Sequence, residues 1–315
     1  MIPNLSLSSF CVLLVLTSFY SCNKPAENDT AQKHEGNPVE TDHKQTPDLK
    51  PALAKALTFH APFDQGPDAG YGKGDLKLYT GNFSKKNEEG KAAITPGLGE
   101  PALRMVQDGG KYGHALEFPA DNETIGGYHL ENNIAFSESN FQGTISLWMK
   151  TDTEALPGLY CDPIQLTDKD YASDAIWFDI TKNDVPPDLR LGVYGDQPTW
   201  DPENLKGKAE AFFLRMAKMS EPPFSPTTWT HVALTWEGLN TDGIGRAWLY
   251  VNGKQAGRSG PIREPFNWDM AQAHFRLGIG YTGMFDDIAL FNRALTLEEI
   301  KFINKMEGGI SELYQ

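Results

Sequence analysis

Two neighbouring stretches of this chain read Trp229-Thr-His-Val-Ala-Leu-Thr-Trp236 and Arg246-Ala-Trp-Leu-Tyr-Val-Asn-Gly-Lys254. In both, apolar and polar residues nearly alternate and β-branched and aromatic residues dominate, which predicts β-strands. The dipeptide Asn252-Gly253 tolerates positive φ, as a two-residue hairpin turn requires. A third run, 283–295, predicts a strand that leads into a short amphipathic helix beginning at Thr296.

These segments resemble the laminin-G-like jelly rolls of the concanavalin A-like lectin/glucanase superfamily, whose hallmarks are W-x-H-V-A, L-Y-V-N-G and D-D/E-I/V-x-I/L-F/Y-N-R-A-L. The resemblance extends upstream. Residues 110–118 are similar to the family's G-x-x-G-x-A-L-x-F strand, and 143–150 to its F-T-I/V-S-x-W-V/M-K strand, with Gly143 in place of the usual Phe. Because the superfamily contains sugar binders, adhesion modules and enzymes, the resemblance predicts architecture rather than activity.

The implied fold is all-β: a two-sheet antiparallel jelly-roll sandwich of the concanavalin A-like type, with a short C-terminal helix. The resemblance also implies that the first strand of the domain lies beside the last. Short apolar runs separated by turn residues support two packed sheets. These further strand candidates are 56–62, 76–79, 102–106, 114–118, 127–131, 143–151, 163–166, 175–181, 188–194 and 274–280.

The N-terminal segment predicts export. Its first residues carry no acidic group, and the apolar run 10–16 is too short to span a bilayer, as in a signal peptide. Ser21-Cys22 resembles the bacterial lipoprotein processing site, which implies acylation of Cys22 and an envelope-anchored protein in the periplasm or at the cell surface. Phe19-Tyr20 departs from the usual processing pattern, which leaves ordinary secretion as the alternative.

Composition divides the chain into three segments. Residues 1–21 are the predicted lipoprotein-type signal peptide. Residues 22–55 are polar and contain no aromatic residue, so they are predicted to be a disordered linker. Residues 56–315 are the predicted laminin-G-like jelly-roll domain, a normal size for one β-sandwich.

Charge and cysteine content restrict the partners. The net charge of -14 argues against nucleic acid, whose phosphates require a basic surface. Of the three cysteines, Cys11 lies in the signal peptide and Cys22 is the predicted lipidation site. Cys161 therefore has no partner for an intramolecular disulfide and is predicted to be a small buried residue. The expected partners are a glycan or a cell-surface protein, with membrane contact through the lipid anchor only.

Aromatic residues indicate a candidate glycan site. Lectins stack the apolar faces of sugars on Trp or Tyr and orient them with carboxylate hydrogen bonds. Trp200 lies in a long insertion, 195–225, and exposed Trp residues in loops often contact ligands. The predicted ligand-binding residues are Trp177, Asp179, Tyr194, Trp200 and Trp268. In the alternative interpretation, the insertion folds back and packs its own Trp200, Phe212 and Phe213.

The resemblance also implies a structural calcium ion between the first and last strands. Asp64 follows the first strand and Asp286 occupies the first acidic position of the D-D/E motif. Their hard oxygen ligands suit calcium. The alternative is that Asp286 and Asp287 cap turns or pair with Arg293 and Arg246.

The sequence favours a non-catalytic binding module. Glycoside hydrolases of this superfamily carry acids at i, i+2 and i+4 of one strand, and Asp179 has no such partner. No Ser-His-Asp spacing, zinc motif or phosphate loop occurs either. Two alternatives remain open: a polysaccharide-degrading enzyme, either hydrolase or lyase, built from distant loop carboxylates, and a structural or adhesion module with protein partners.

Overall fold

A computed structural model describes residues 48–315 except 87–89, 91, 100–101, 121–122, 183–186 and 209. The strands are β1 (Leu57–Ala61), β2 (Tyr71–Gly72), β3 (Tyr79–Lys86), β4 (Ala92–Pro96), β5 (Arg104–Val106), β6 (Ala115–Phe118), β7 (Ile125–His129), β8 (Phe141–Lys150), β9 (Tyr160–Asp170), β10 (Ser173–Thr181), β11 (Asp188–Tyr194), β12 (Ala217–Ser220), β13 (Thr230–Leu239), β14 (Arg246–Val251), β15 (Lys254–Arg258), β16 (His274–Ile279) and β17 (Gly283–Phe291). The α-helices are α1 (Lys50–Ala56), α2 (Gln197–Trp200), α3 (Glu210–Arg215) and α4 (Leu297–Ile303). Three short 3-10 helices cover Thr153–Ala155, Lys206–Lys208 and Ile310–Leu313.

The strands form two antiparallel sheets that pack face to face. Sheet A has the order β15-β14-β13-β8-β17-β1-β2, with β6 also paired to β17 and β5 paired to β6. Sheet B has the order β12-β11-β10-β9-β16-β7-β3-β4. The predicted all-β, two-sheet antiparallel jelly-roll sandwich with a short C-terminal helix is confirmed.

The chain ends of the domain meet in sheet A, as predicted. Strand β1 pairs antiparallel with β17, with Ala61 opposite Ile288. The hairpin between β14 and β15 turns at Asn252 and Gly253, whose φ angles are +49° and +72°. Positive φ at both turn residues is the two-residue geometry that the sequence predicted.

A close approach explains why Gly143 replaces the family's usual Phe. Gly143 lies opposite Trp236 on β13, and a Cβ atom at Gly143 would lie 2.4 Å from Trp236 Cζ2. The fully buried Trp236 ring therefore occupies the volume that a side chain at position 143 would need. Trp236 on the neighbouring strand β13 therefore fills the core in place of the Phe that the family usually has at position 143.

Helices and the C-terminal segment cover the outer face of sheet A. Leu53 of α1 and Ile300 and Ile303 of α4 are buried in one apolar cluster with Phe291. Thr296 and Glu299 form a capping box at the start of α4, which satisfies free backbone N–H groups there. All of helix α1 except Ala56 lies in the segment 22–55 that composition assigned to a disordered linker, so this part of the prediction differs from the structure. Composition did not indicate the helix because only Leu53 and Ala56 are fully buried in it. None of the helices described is long and apolar enough to cross a membrane.

Candidate functional site

The outer face of sheet B carries a cavity of about 390 Å³. Strands β9, β10 and β11 form its floor, and part of the insertion between β11 and β12 forms one wall. The lining residues are Tyr160, Asp162, Tyr171, Trp177, Asp179, Arg190, Gly207, Phe212 and Phe213. We call this cavity the aromatic pocket.

Strand alternation places Trp177 and Asp179 on the outer face of sheet B. Their neighbours Ile176, Phe178 and Ile180 belong to the core between the sheets, so 177 and 179 point the opposite way. Trp177 lies flat over the next strand because Gly192 stands opposite it. A Cβ atom at Gly192 would lie 2.3 Å from Trp177 Cζ2, so any other residue there would displace the indole.

The insertion is anchored by an aromatic stack. The Tyr194 ring packs against Trp177 and Phe212, with ring centroids 5.8 and 4.7 Å away and interplanar angles of 19° and 16°, and the Trp177 and Phe212 centroids are themselves 6.0 Å apart. The Tyr194 hydroxyl donates a hydrogen bond to the Phe212 carbonyl at 2.6 Å. Trp200 also stacks on Phe212 and donates from Nε1 to the Ala172 carbonyl at 3.0 Å. The helical part of the insertion is therefore held against sheet B and forms a wall of the pocket.

The floor of the pocket contains a buried ion pair. Arg190 lies directly opposite Asp179, and its Nε donates to Asp179 Oδ1 at 2.8 Å while Nη2 donates to Oδ2. Both side chains are less than a tenth exposed. Burial raises the pKa of Asp179, and hydrogen bonds from Arg190 oppose that effect. This bidentate geometry holds Asp179 in one orientation.

Asp162 is the second carboxyl group of the floor. Burial, and then the charge of Asp179, raises its pKa from 3.8 to about 8. Its Oδ2 accepts a hydrogen bond from Gln165 Nε2 at 3.1 Å. At neutral pH Asp162 therefore retains its proton and can donate a hydrogen bond into the pocket.

Exposed apolar side chains surround the mouth of the pocket. Phe213 is 52% exposed, Tyr160 56% and Tyr171 37%, and all three line the cavity. Leu159 and Leu214, adjacent in sequence to two of them, are also exposed. Exposed aromatic residues beside a concave site are typical of ligand binding.

The structure separates the predicted ligand-binding residues into two places. Trp177 and Asp179 line the aromatic pocket, while Tyr194 and Trp200 support its wall. Trp268 lies elsewhere. It packs on Phe136 and Phe141 of the core, donates from Nε1 to the Asp174 carbonyl and borders a different cavity. Of the alternative interpretation, the packing of Trp200 on Phe212 is present, while Phe213 remains exposed.

Sequence reasoning missed Asp162, Arg190, Tyr160 and Tyr171. The candidate strand 163–166 is the apolar middle of β9, which extends over Tyr160–Asp170. The two ends of β9 were not predicted because their outward-facing residues border the aromatic pocket, so they follow neither the pattern of the core nor that of a solvent-exposed face. Arg190 could not have been placed beside Asp179 from the sequence, because their contact depends on the register between β10 and β11.

Comparison with known families agrees with this architecture. Residues 123–301, more than half of the chain, match the Laminin_G_3 model, described as the concanavalin A-like lectin/glucanases superfamily. The chain belongs to this superfamily. A search of curated proteins gave no match.

Solved structures similar to this superfamily member include domain 4 of AbnA, a GH43 extracellular arabinanase from Geobacillus stearothermophilus, in complex with arabinotriose. That domain is 17% identical, with 78% of this chain and 97% of the domain covered and a TM-score of 0.45. The binding domain of Paraclostridial Mosquitocidal Protein 1 is 13% identical, with 80% and 52% covered and a TM-score of 0.46. The binding domain of Botulinum Neurotoxin DC, in complex with SialylT, is 13% identical, with 80% and 51% covered and a TM-score of 0.45. This chain therefore spans about half the length of the two toxin binding domains.

The two acids assigned to calcium in this superfamily member bind the same loop. Asp64 Oδ1 accepts a hydrogen bond from the His114 N–H at 3.2 Å, and Asp286 Oδ2 accepts one from the Tyr112 N–H at 2.8 Å. Burial raises the pKa of Asp286 to about 8. Among the residues described, no group of three or more His, Cys, Asp or Glu side chains is placed to hold a metal. A calcium ion would therefore draw its other oxygen ligands from main-chain carbonyls and water.

Asp287 has a different role from its neighbour. Its Oδ1 lies 2.7 Å from Nε2 of the buried His60, whose Nδ1 lies 2.7 Å from the Tyr314 hydroxyl. Asp287 also accepts a hydrogen bond from the Ile310 N–H. These contacts tie the C-terminal segment to β1 and β17, so the first and last strands are joined by side chains as well as by backbone pairing.

Proposed function

We propose that this protein is a non-catalytic binding module for carbohydrate and that the aromatic pocket is its ligand site. The observation that carries the proposal is a concave site with five aromatic side chains around a hydrogen-bonding floor. Sugar rings stack on aromatic faces, while their hydroxyls bond to carboxyl and guanidinium groups. Membership of a superfamily of lectins and glucanases supports this chemistry.

Truncation of Phe213 tests the proposal. We expect Phe213→Ala to weaken binding of the tightest ligand from a glycan array about fivefold, because one stacking contact contributes about 1 kcal/mol. Stability should change by less than about 0.5 kcal/mol, since the ring is half exposed. Isothermal titration of the full chain measures the affinity.

Ile244→Ala is the matched control, because Ile244 is also exposed, at 42%, and does not line the pocket. It should leave glycan affinity unchanged. Equal affinities of the Phe213 and Ile244 variants would place the ligand outside the aromatic pocket. Absence of binding to any glycan would contradict the proposed function itself.

One observation favours a polysaccharide-degrading enzyme as a second candidate. Asp162 and Asp179 both line the pocket, and a protonated acid beside an ionised one is the pairing that glycoside hydrolases use. Against this role, Arg190 occupies both oxygens of Asp179. Release of reducing ends from the ligand by the full chain, and its loss in Asp162→Asn, would establish the enzyme instead.

We further propose that the module is exported and anchored to the bacterial cell envelope by acylation of Cys22. The support is the signal-like sequence before that cysteine. The residues concerned, 1–47, lie outside the described part of the chain. Mass spectrometry of the mature N-terminal peptide tests this proposal, and an unmodified Cys22 would contradict it.

A structural calcium ion held by Asp64 and Asp286 is also proposed. Because the ion would bind only the folded state, EDTA should lower the melting temperature by several degrees. Asp64→Asn should abolish the difference between melts with and without EDTA. An unchanged melt of the unmodified chain in EDTA would contradict the calcium site without affecting the aromatic pocket.

A further inference from the structure

The floor of the aromatic pocket contains more acidic than basic groups. Asp162 and Asp179 face a single cation, Arg190, among the residues that line the pocket. Arg190 directs two of its nitrogens to Asp179. The hydrogen bond that Asp162 receives comes from the neutral amide of Gln165. Among the residues that the structure describes, no cation is bonded to the carboxyl group of Asp162.

The walls around this carboxyl group are suited to a cation. Positive charge is attracted to the faces of Trp, Tyr and Phe rings, and more strongly where water is excluded. The Arg190 guanidinium already lies 5.6 Å from the ring centroid of Tyr160. Trp177, Tyr171, Phe212 and Phe213 supply further rings around the same cavity. An aromatic enclosure with one uncompensated carboxyl group is the arrangement that recognises ammonium groups.

The electrostatics of the pocket and the net charge of the chain both favour a cationic ligand. Burial disfavours an ionised Asp162 and raises its pKa to about 8, so without a ligand the group keeps its proton near neutral pH. A bound ammonium would stabilise the ionised carboxylate and displace that proton. The net charge of -14 also attracts cationic ligands at long range.

We propose that the aromatic pocket binds a protonated amino group carried by a sugar, so that the ligand is an oligosaccharide of amino sugars with free ammonium groups. The inference rests on the proposed carbohydrate site and specifies its ligand class. The ammonium lies against Asp162, and the sugar ring stacks on the aromatic walls.

Matched oligosaccharides test the inference with the full chain. Tetramers of β-1,4-linked glucosamine, N-acetylglucosamine and glucose differ only at the 2-substituent. At about pH 6, where an amine of ordinary pKa is charged, we expect the glucosamine tetramer to bind at least about tenfold more tightly than both others. Calorimetry in buffers of different ionisation enthalpy should show that binding releases a proton from the protein.

Asp162→Asn removes the carboxyl group that would ionise on binding, while retaining the shape of the side chain. We expect it to reduce the affinity ratio of amino to neutral tetramer to about one and to abolish proton release. Asp242→Asn, at an exposed carboxylate outside the aromatic pocket, is the control and should retain the ratio. Thermal melts of both variants verify that they are folded.

The outcomes separate the two proposals. Equal binding of all three tetramers, or tighter binding of an oligogalacturonate, overturns the ammonium inference and leaves the carbohydrate site standing. If tetramethylammonium binds as tightly as the glucosamine tetramer, the pocket recognises the cation without the sugar, and the inference that the ligand is an amino sugar is overturned. If no saccharide binds, both the ammonium inference and the proposed carbohydrate function are contradicted.

Discussion

Asp162→Asn should increase the free energy of unfolding by several kcal/mol at pH 8.5 and by little at pH 4. The pKa of Asp162 is about 8 in the folded protein and 3.8 as the reference value. Between these values the folded state holds a proton that the unfolded state has lost, so stability falls as pH rises through this window. About four pH units at about 1.4 kcal/mol each give an upper limit of about 6 kcal/mol.

Urea unfolding of both proteins at the two pH values measures the effect. Asparagine carries no proton to lose, so the gain should appear only towards alkaline pH. Asp286 has a pKa raised in the same direction and is present in both proteins, so it cancels from the difference. Asp242→Asn, an exposed carboxylate, should change neither curve appreciably. An equal gain at both pH values would show that Asp162 is ionised in the folded state.

Glu264→Gln should destabilise the protein by about 3 kcal/mol. Glu264 is 3% exposed and binds the Arg215 guanidinium, which is 12% exposed. Its carboxylate also accepts hydrogen bonds from the N–H groups of Gly195 and Arg263, at 3.2 and 3.1 Å. Loss of the charge leaves a nearly buried guanidinium without its counter-ion, which is a large penalty in a protein interior. Urea unfolding at neutral pH measures the loss.

The same pair fastens the wall of the aromatic pocket. Arg215 ends the helix that carries Phe212 and Phe213, and its guanidinium lies 5.7 Å from the ring centroids of Tyr194 and Trp200. Glu264→Gln should therefore weaken glycan binding as well as stability. The double variant Arg215→Met with Glu264→Gln should lose less stability than Glu264→Gln alone, because no charge remains buried and Gln keeps an acceptor oxygen for the backbone N–H groups. A larger loss in the double variant would contradict this explanation.

Local sequence patterns predicted most of the fold because they report local physics. Alternation in 229–236 and the Asn252-Gly253 turn correspond to β13 and to the hairpin of β14 with β15. Leu297, Ile300, Phe302 and Ile303 lie at helical spacing and predicted the amphipathic helix that is observed as α4, in which Ile300 and Ile303 are buried. The alternation of apolar and polar residues failed to predict strands whose outer face borders the aromatic pocket and is neither buried in the core nor exposed to solvent. Strand β9 was therefore predicted only over 163–166, although it extends from Tyr160 to Asp170.

The candidate site was predictable only in part for the same reason. Trp177 and Asp179 share one face of β10 by alternation alone, and both line the pocket. Their partners Asp162, Arg190 and Phe212 come from other segments of the chain. No local spacing relates these residues, so their convergence depends on strand order and on how the insertion folds back.

The amino-acid sequence alone determined an all-β jelly roll and, through the family resemblance, the pairing of its first and last strands. These follow from side-chain periodicity, turn chemistry and family motifs, which act over a few residues. Only the tertiary structure decided that Arg190 pairs with Asp179 beside Asp162, and that Trp268 belongs to the core and not to the aromatic pocket. The order β11-β10-β9 brings distant segments within a few ångströms. Burial and mutual charge, which shift the pKa of Asp162 and shape the pocket's chemistry, exist only after that assembly.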